Sequence, residues 1–119
     1  MSIAIENVAK NMGIIAAALI RRDGTLEDSY FLENIDKDTF SIMCATIQAS
    51  TLKIYNEIFY KEPFRIVIYG KDANLLIFPY VSKDFWALLV PITMPPERTI
   101  NDFLGKIKSI PLKETFIYA

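Results

Sequence analysis

The stretch I-R-R-D-G-T-L-E-D-S-Y, Ile20 to Tyr30, decides the fold. Asp23-Gly24 stands between two strand-like runs, the strongest short-range sign of a β-hairpin. The two-residue type I′ turn it favours needs positive φ at both positions. The run before it, Gly13 to Arg21 (G-I-I-A-A-A-L-I-R), stays apolar until its charged end. Short, continuous and bounded by glycine and a turn, it predicts a strand buried on both faces. The return run, Thr25 to Leu32, carries acids that suit an edge strand, where charge discourages uncontrolled pairing. Along it Leu26, Tyr30 and Leu32 are expected on one face, and Glu27, Ser29 and Glu33, with Phe31 among them, on the other. Arg21 and Arg22 have two readings: partner contacts such as a phosphate-reaching arginine finger, or solvated residues of a turn.

Upstream, Ser2 to Asn11 predicts a short helix with Ile5, Val8, Ala9 and Met12 on one face, stopped at Gly13. Downstream, Asp36 to Tyr60 holds no glycine or proline and predicts one long helix capped by Asp36 or Asp38. One apolar stripe on it, Phe40, Met43, Cys44, Ile47, Ile54 and Ile58, is expected to face the core. A second runs nearly opposite: Ile42, Ala45, Ala49, Leu52 and Phe59. Two stripes need two packing partners, which leaves an interface with another chain or burial under the tail for the second. Three short runs follow, Phe64–Tyr69, Asn74–Tyr80 and Phe85–Ile92, joined by turns that imply an antiparallel meander. Pro95-Pro96 then opens a helix with Ile100, Phe103, Leu104 and Ile107 on one face. The order is α-β-β-α-β-β-β-α, an α+β sandwich on a five-stranded antiparallel sheet with helices on both faces. Residues 1–109 form one expected domain and 110–119 a tail whose Phe116, Ile117 and Tyr118 can dock on the body or on a partner.

Composition narrows the function. The chain has 119 residues, a formal net charge of −1, one cysteine and no histidine. The charge gives no electrostatic basis for nucleic-acid binding. Without histidine, Ser-His-Asp and Cys-His chemistry and the common zinc sites are closed. Cys44 is alone, so no intrachain disulfide exists and no oxidising compartment is needed. No signal-peptide pattern opens the chain, and its early apolar run is too short for a membrane span. A cytoplasmic protein is expected. A phosphate loop is excluded at Gly70-Lys71 and Gly105-Lys106, where Arg65 and Ile100 occupy the first glycine position. The aspartates fall at turns and element ends, and no paired-carboxylate arrangement is evident. No catalytic residue, metal ligand or cofactor is expected.

The element order, the hairpin from Ile14 to Tyr30, the A-x-x-x-A of Ala45 and Ala49 and the strand ending I-F-P-Y at Ile77 to Tyr80 together resemble the Roadblock/LC7 domain. The resemblance covers roughly Ile3 to Ser109. It implies a profilin-like sandwich and a non-catalytic dimer, paired through the second strand with the long helices side by side. It also implies a regulatory or scaffold role toward a small Ras-like GTPase or a larger assembly. Carried onto this chain, the implied dimer interface is Leu26, Glu27, Ser29 and Phe31 on the strand and Ile42, Ala45, Ala49 and Leu52 on the helix. Arg21 and Arg22 are candidate partner contacts. The second subunit is a copy of this chain or a paralogous Roadblock-like chain. Glu27-Asp28 constrains a symmetric pairing, because like charges directly opposite would destabilise it. An alternative is a small-molecule sensor of PAS- or profilin-like outline, with Tyr55, Tyr60, Tyr69, Tyr80, Phe78 and Trp86 lining a pocket rather than filling the core.

Overall fold

The computed structural model describes residues 2–32, 34–59, 65–81 and 83–108. The expected tail, Tyr60, Phe64 and the end of the domain at residue 109 lie outside the described residues. The elements are α1 (Ser2–Met12), β1 (Ala16–Ile20), β2 (Leu26–Phe31), α2 (Lys37–Phe59), β3 (Ile66–Ile68), β4 (Ala73–Pro79), β5 (Phe85–Pro91) and α3 (Pro96–Ile107). All strand pairs are antiparallel, and the sheet runs β2-β1-β5-β4-β3. The element order and the sheet match the sequence-based expectation, and β2 is an edge.

Local chemistry sets the boundaries. Gly13 takes φ 81° at the end of α1. There the Ile14 N–H donates to Ala9 O at 2.9 Å and the Gly13 N–H to Lys10 O at 3.2 Å. This is a Schellman cap, and it turns the chain directly into β1. Asp36 caps α2: its Oδ1 accepts the Asp38 and Thr39 amides at 3.1 and 3.2 Å. Those hydrogen bonds, Thr39's foremost, hold the Asp36 carboxyl below its ordinary pKa.

Two apolar layers sandwich the sheet. On one face Ala17, Leu76, Phe78, Trp86, Leu88 and Val90 pack with Ile5 and Ala9 of α1 and Ile100, Phe103 and Ile107 of α3. On the other Ala18, Ile20, Ile77, Phe85 and Ala87 pack with Cys44 and Ala45 of α2. The central strands β1 and β5 are covered on both sides, which is why they read as unbroken apolar runs. Phe78 and Trp86 are core residues: the Phe103 ring stands edge-on to Trp86 at 4.9 Å and to Phe78 at 6.3 Å. They fill the space between sheet and α3. Tyr55, Tyr69 and Tyr80 are exposed. Cys44 is buried, and burial pushes its thiol up to about 11, which leaves it inert.

The β3–β4 turn is closed by the Asn74 side chain, whose Oδ1 accepts the Gly70 N–H at 3.1 Å. A Cβ on Gly70 would lie 2.3 Å from the Ala73 carbonyl oxygen, a backbone atom that cannot swing aside. Gly70→Ala is expected to cost about 1–3 kcal/mol, read as a lower urea midpoint at unchanged slope.

Candidate interaction surface

The hairpin differs from the expected two-residue turn. Gly24 N–H donates to Arg21 O, and Arg21 N–H to Thr25 O, both at 2.9 Å. These bonds close a three-residue loop, with Gly24 at φ 92°. Asp23 Oδ1 accepts the Thr25 N–H at 2.8 Å, and the Thr25 hydroxyl first, with that N–H second, lowers the Asp23 pKa. The loop leans on α2: Ser41 Oγ donates to Gly24 O, and the Gly24 backbone faces Ile42 and Ala45.

This contact decides how α2 is rotated, and the sequence-based stripes need correction. The buried face is Ser41, Cys44, Ala45, Gln48 and Leu52. Phe40 and Ile47 flank it as half-buried contacts, while Met43, Ile54 and Ile58, expected in the core, are more than half exposed. Of the second stripe, Ala45 and Leu52 are buried within the chain, and Ile42, Ala49 and Phe59 are exposed. Small and hydrogen-bonding residues face inward because the hairpin tip must approach the helix closely. Bulk hydrophobicity ranks those positions last.

From Lys53 to Phe59 every residue of α2 is exposed. A helix of 23 residues is about 34 Å long, and the buried face of this one ends at Leu52. The spacing of Cys44, Gln48 and Leu52 continues into Tyr55 and Phe59, whose ring centroids lie 5.4 Å apart. Six large apolar residues, Ile42, Met43, Ile54, Tyr55, Ile58 and Phe59, are thus exposed on one helix. Such a face marks an interaction surface. Between α2 and the hairpin runs an open groove of about 480 Å³, floored by Ala45, Ala49 and Leu52 and walled by Arg22, Lys53 and Glu57. It gathers Arg22, Ala45, Ala49 and Leu52, four of the sequence-selected residues, in one place.

The β2 residues divide differently. A β-bulge opposite Leu19 and Ile20 sets Glu27 and Asp28 against Leu19 alone. The extra residue shifts the alternation, so Leu26 and Tyr30 lie on opposite faces, contrary to the sequence reading. Leu26 and Phe31 pack into the α2 layer and Tyr30 into the α1–α3 layer. Phe31 meets Phe40 edge-on at 5.3 Å. What β2 offers outward is backbone, chiefly at Ser29 and Phe31.

The bulge also creates a feature absent from sequence reasoning. Glu27 lies beside Asp84 of the β4–β5 turn and 3.5 Å from Arg21 Nε. Its buried Oε1 is the atom that faces Arg21, at a distance too long for a close hydrogen bond. Burial first, and the Asp84 carboxylate second, push the Glu27 pKa up to about 7, against the pull of Arg21. Between Glu27's ordinary value of 4.5 and about 7 the folded chain holds a proton that the unfolded chain has released. Stability therefore falls as pH rises through that window. Glu27→Gln is expected to flatten this fall and to exceed the wild type in stability at pH 8, but not at pH 4. Urea unfolding across pH checks it.

No helix of the described residues is long and apolar enough to cross a membrane. Among them no group of three or more His, Cys, Asp or Glu is placed to hold a metal ion.

No protein-family model and no curated protein matches the sequence. Solved structures do. A Roadblock/LC7 domain from Streptomyces avermitilis aligns over 98% of this chain and 98% of its own, at TM-score 0.81 and 11% identity. The chain has the Roadblock/LC7 fold. MglB of Myxococcus xanthus aligns at TM-score 0.77 and 15% identity over 92% of each chain. The gliding protein MglB of Thermus thermophilus aligns at TM-score 0.74 and 17% identity, over 87% of this chain and 79% of its own. In this fold β2 is an edge of the sheet and α2 is a long helix left partly uncovered.

Proposed function

We propose that this chain is a non-catalytic, dimeric regulatory or scaffold subunit that binds a small Ras-like GTPase or a larger assembly. The observation that carries the reading is the exposed apolar face of α2 beside the unpaired edge of β2, on a Roadblock/LC7 fold. A second copy, or a paralogous Roadblock-like chain, pairs along β2 and lays its own long helix over the groove. Ala49, small and exposed at the groove floor, admits that helix closely. Arg22 and Lys53 on the groove wall meet Glu57 of the second copy, since a two-fold interface brings each patch against itself.

The assembled pair acts by shape. A continuous sheet backed by paired helices is a rigid surface, and a rigid surface that fits one nucleotide state of a partner shifts that partner toward it. Arg22 lines the groove and is the candidate for partner contact there. The exposed C-terminal end of α2, Lys53 to Phe59, adds to that surface.

Light scattering after size-exclusion chromatography tests the first part. A mass twice the 13.6 kDa of one chain is expected, independent of dilution down to micromolar concentration. The purified dimer is then mixed with small GTPases loaded with GTP or GDP. Retention that depends on the nucleotide supports a regulator, and retention independent of it supports a scaffold. A monomer at all concentrations, binding neither form, sinks the reading.

A further inference from the structure

We infer that the Asp28 carboxylate is a latch on the free edge of β2, which a second copy of this chain must release in order to join its sheet to this one. The inference rests on the edge-paired dimer proposed above and adds how access to that edge is controlled.

Hydrogen-bond phase comes first. Leu32 N–H donates to Ile15 O at 2.8 Å, so Leu32 turns its amide toward β1. In an antiparallel ladder the direction alternates, and Tyr30 and Asp28 turn inward with it. Ser29 and Phe31 turn outward. Toward the hairpin the bulge at Glu27 and Asp28 ends the regular edge. The usable edge therefore has two outward amides.

One of the two is occupied. The Ser29 N–H donates to Asp28 Oδ1 at 2.8 Å. Asp28 is itself a buried polar residue, so its carboxylate is held in place and does not sweep through solvent. An amide bonded to a carboxylate is among the stronger protein hydrogen bonds. Any register in which both outward residues bond to a second copy takes the Ser29 N–H, and must break this bond once in each copy. A pairing centred on Asp28 is closed as well, since it sets two aspartates directly opposite.

The latch gives the edge selectivity. A strand that offers hydrogen bonds alone exchanges one bond for another and gains little. A second copy also covers Ala49, Leu52 and the apolar face of α2, and that burial outweighs the lost bond. The bulge and the latch together let an unpaired edge exist without indiscriminate pairing.

Sedimentation equilibrium of the wild type, Asp28→Ala, Asp28→Asn and Ser29→Pro tests the inference, with hydrogen exchange of the Ser29 amide in dilute protein. Asp28→Ala is expected to tighten dimerisation about tenfold, because two net hydrogen bonds per dimer no longer have to be broken. Asp28→Asn keeps an acceptor without the charge and is expected to tighten it less. Ser29→Pro removes an amide that takes no part in the β1 ladder, so the monomer folds and the dimer is lost. The Ser29 amide exchanges slowly in the wild-type monomer and fast in Asp28→Ala. Should Asp28→Ala fail to fold, tightening by Asp28→Asn carries the test. A dimer that Ser29→Pro abolishes and neither Asp28 variant strengthens overturns the latch and leaves the edge dimer standing. A Ser29 amide that exchanges as fast as that of Phe31 in the wild-type monomer overturns the latch too. Monomers throughout, for wild type and variants alike, overturn both.

Discussion

Glutamate in place of Ala49 is expected to turn the proposed dimer into a monomer while leaving the fold intact. Ala49 is exposed on α2 at the floor of the groove, one turn before Lys53. On the free chain the new carboxylate is therefore harmless: it gains Lys53 as an i,i+4 partner, a pair worth a few tenths of a kcal/mol. In the dimer the same carboxylate is pressed against the second copy's helix. A two-fold axis doubles the damage, since each chain buries one new charge. Dimerisation is expected to weaken at least about 100-fold, which is roughly 2.8 kcal/mol. Light scattering reports the mass, and circular dichroism with urea unfolding reports the monomer. A dimer of unchanged affinity would remove the groove from the interface. An unfolded variant would show that Ala49 is needed by the chain itself, against its exposure.

Trp86→Ala is expected to cost about 3–5 kcal/mol, a large share of the roughly 5–15 kcal/mol that holds a domain together. Trp86 is the single tryptophan and is almost fully buried, stacked edge-on between Phe103 and Tyr80. It ties β5 to α3 through the Phe103 ring. Its indole nitrogen has no hydrogen-bond partner among the described residues. The ring therefore contributes by packing, and its N–H is a liability of about 1–3 kcal/mol. Trp86→Phe separates the two effects. It leaves a smaller void and removes the unpaired donor, so its cost is expected to be well below half that of Trp86→Ala. Urea unfolding followed by far-ultraviolet circular dichroism measures both. A Trp86→Phe cost above half that of Trp86→Ala would count against the indole N–H as a net penalty.

The fold was legible because its punctuation is local. Gly13 ends a helix by taking a left-handed φ, Asp23-Gly24 turns a strand back on itself, and the turns near Gly70 and Asp84 are too short for anything but antiparallel neighbours. An apolar run with no alternation marked β1 as buried on both faces, and the acids of β2 marked an edge. Of the residues picked from the sequence as interface or partner contacts, Arg22, Ala45, Ala49 and Leu52 line one groove. The turn itself was misread, since Asp-Gly also serves a three-residue loop in which only the glycine needs positive φ.

The rotation of α2 was not legible. Its isoleucines and methionine suggested the core, yet Ser41, Ala45 and Gln48 face inward because a hairpin tip packs there and only small or hydrogen-bonding groups fit. The bulge was invisible for a similar reason. One inserted residue leaves no mark on composition, but it reverses the alternation of β2 and swings Glu27 toward Asp84, a residue far away in the chain.

By itself, then, the sequence determined the element order, the antiparallel sheet, the edge position of β2 and the exclusion of histidine- and zinc-based chemistry. Each of these follows from residue type and near-neighbour spacing. Only the tertiary structure decided which face of α2 is left uncovered, where the bulge falls, which carboxylates meet and that Asp28 holds the outward amide of Ser29. Those depend on close approach between segments far apart in the chain, where a methyl group or a single hydrogen bond outweighs the average hydrophobicity of a stripe.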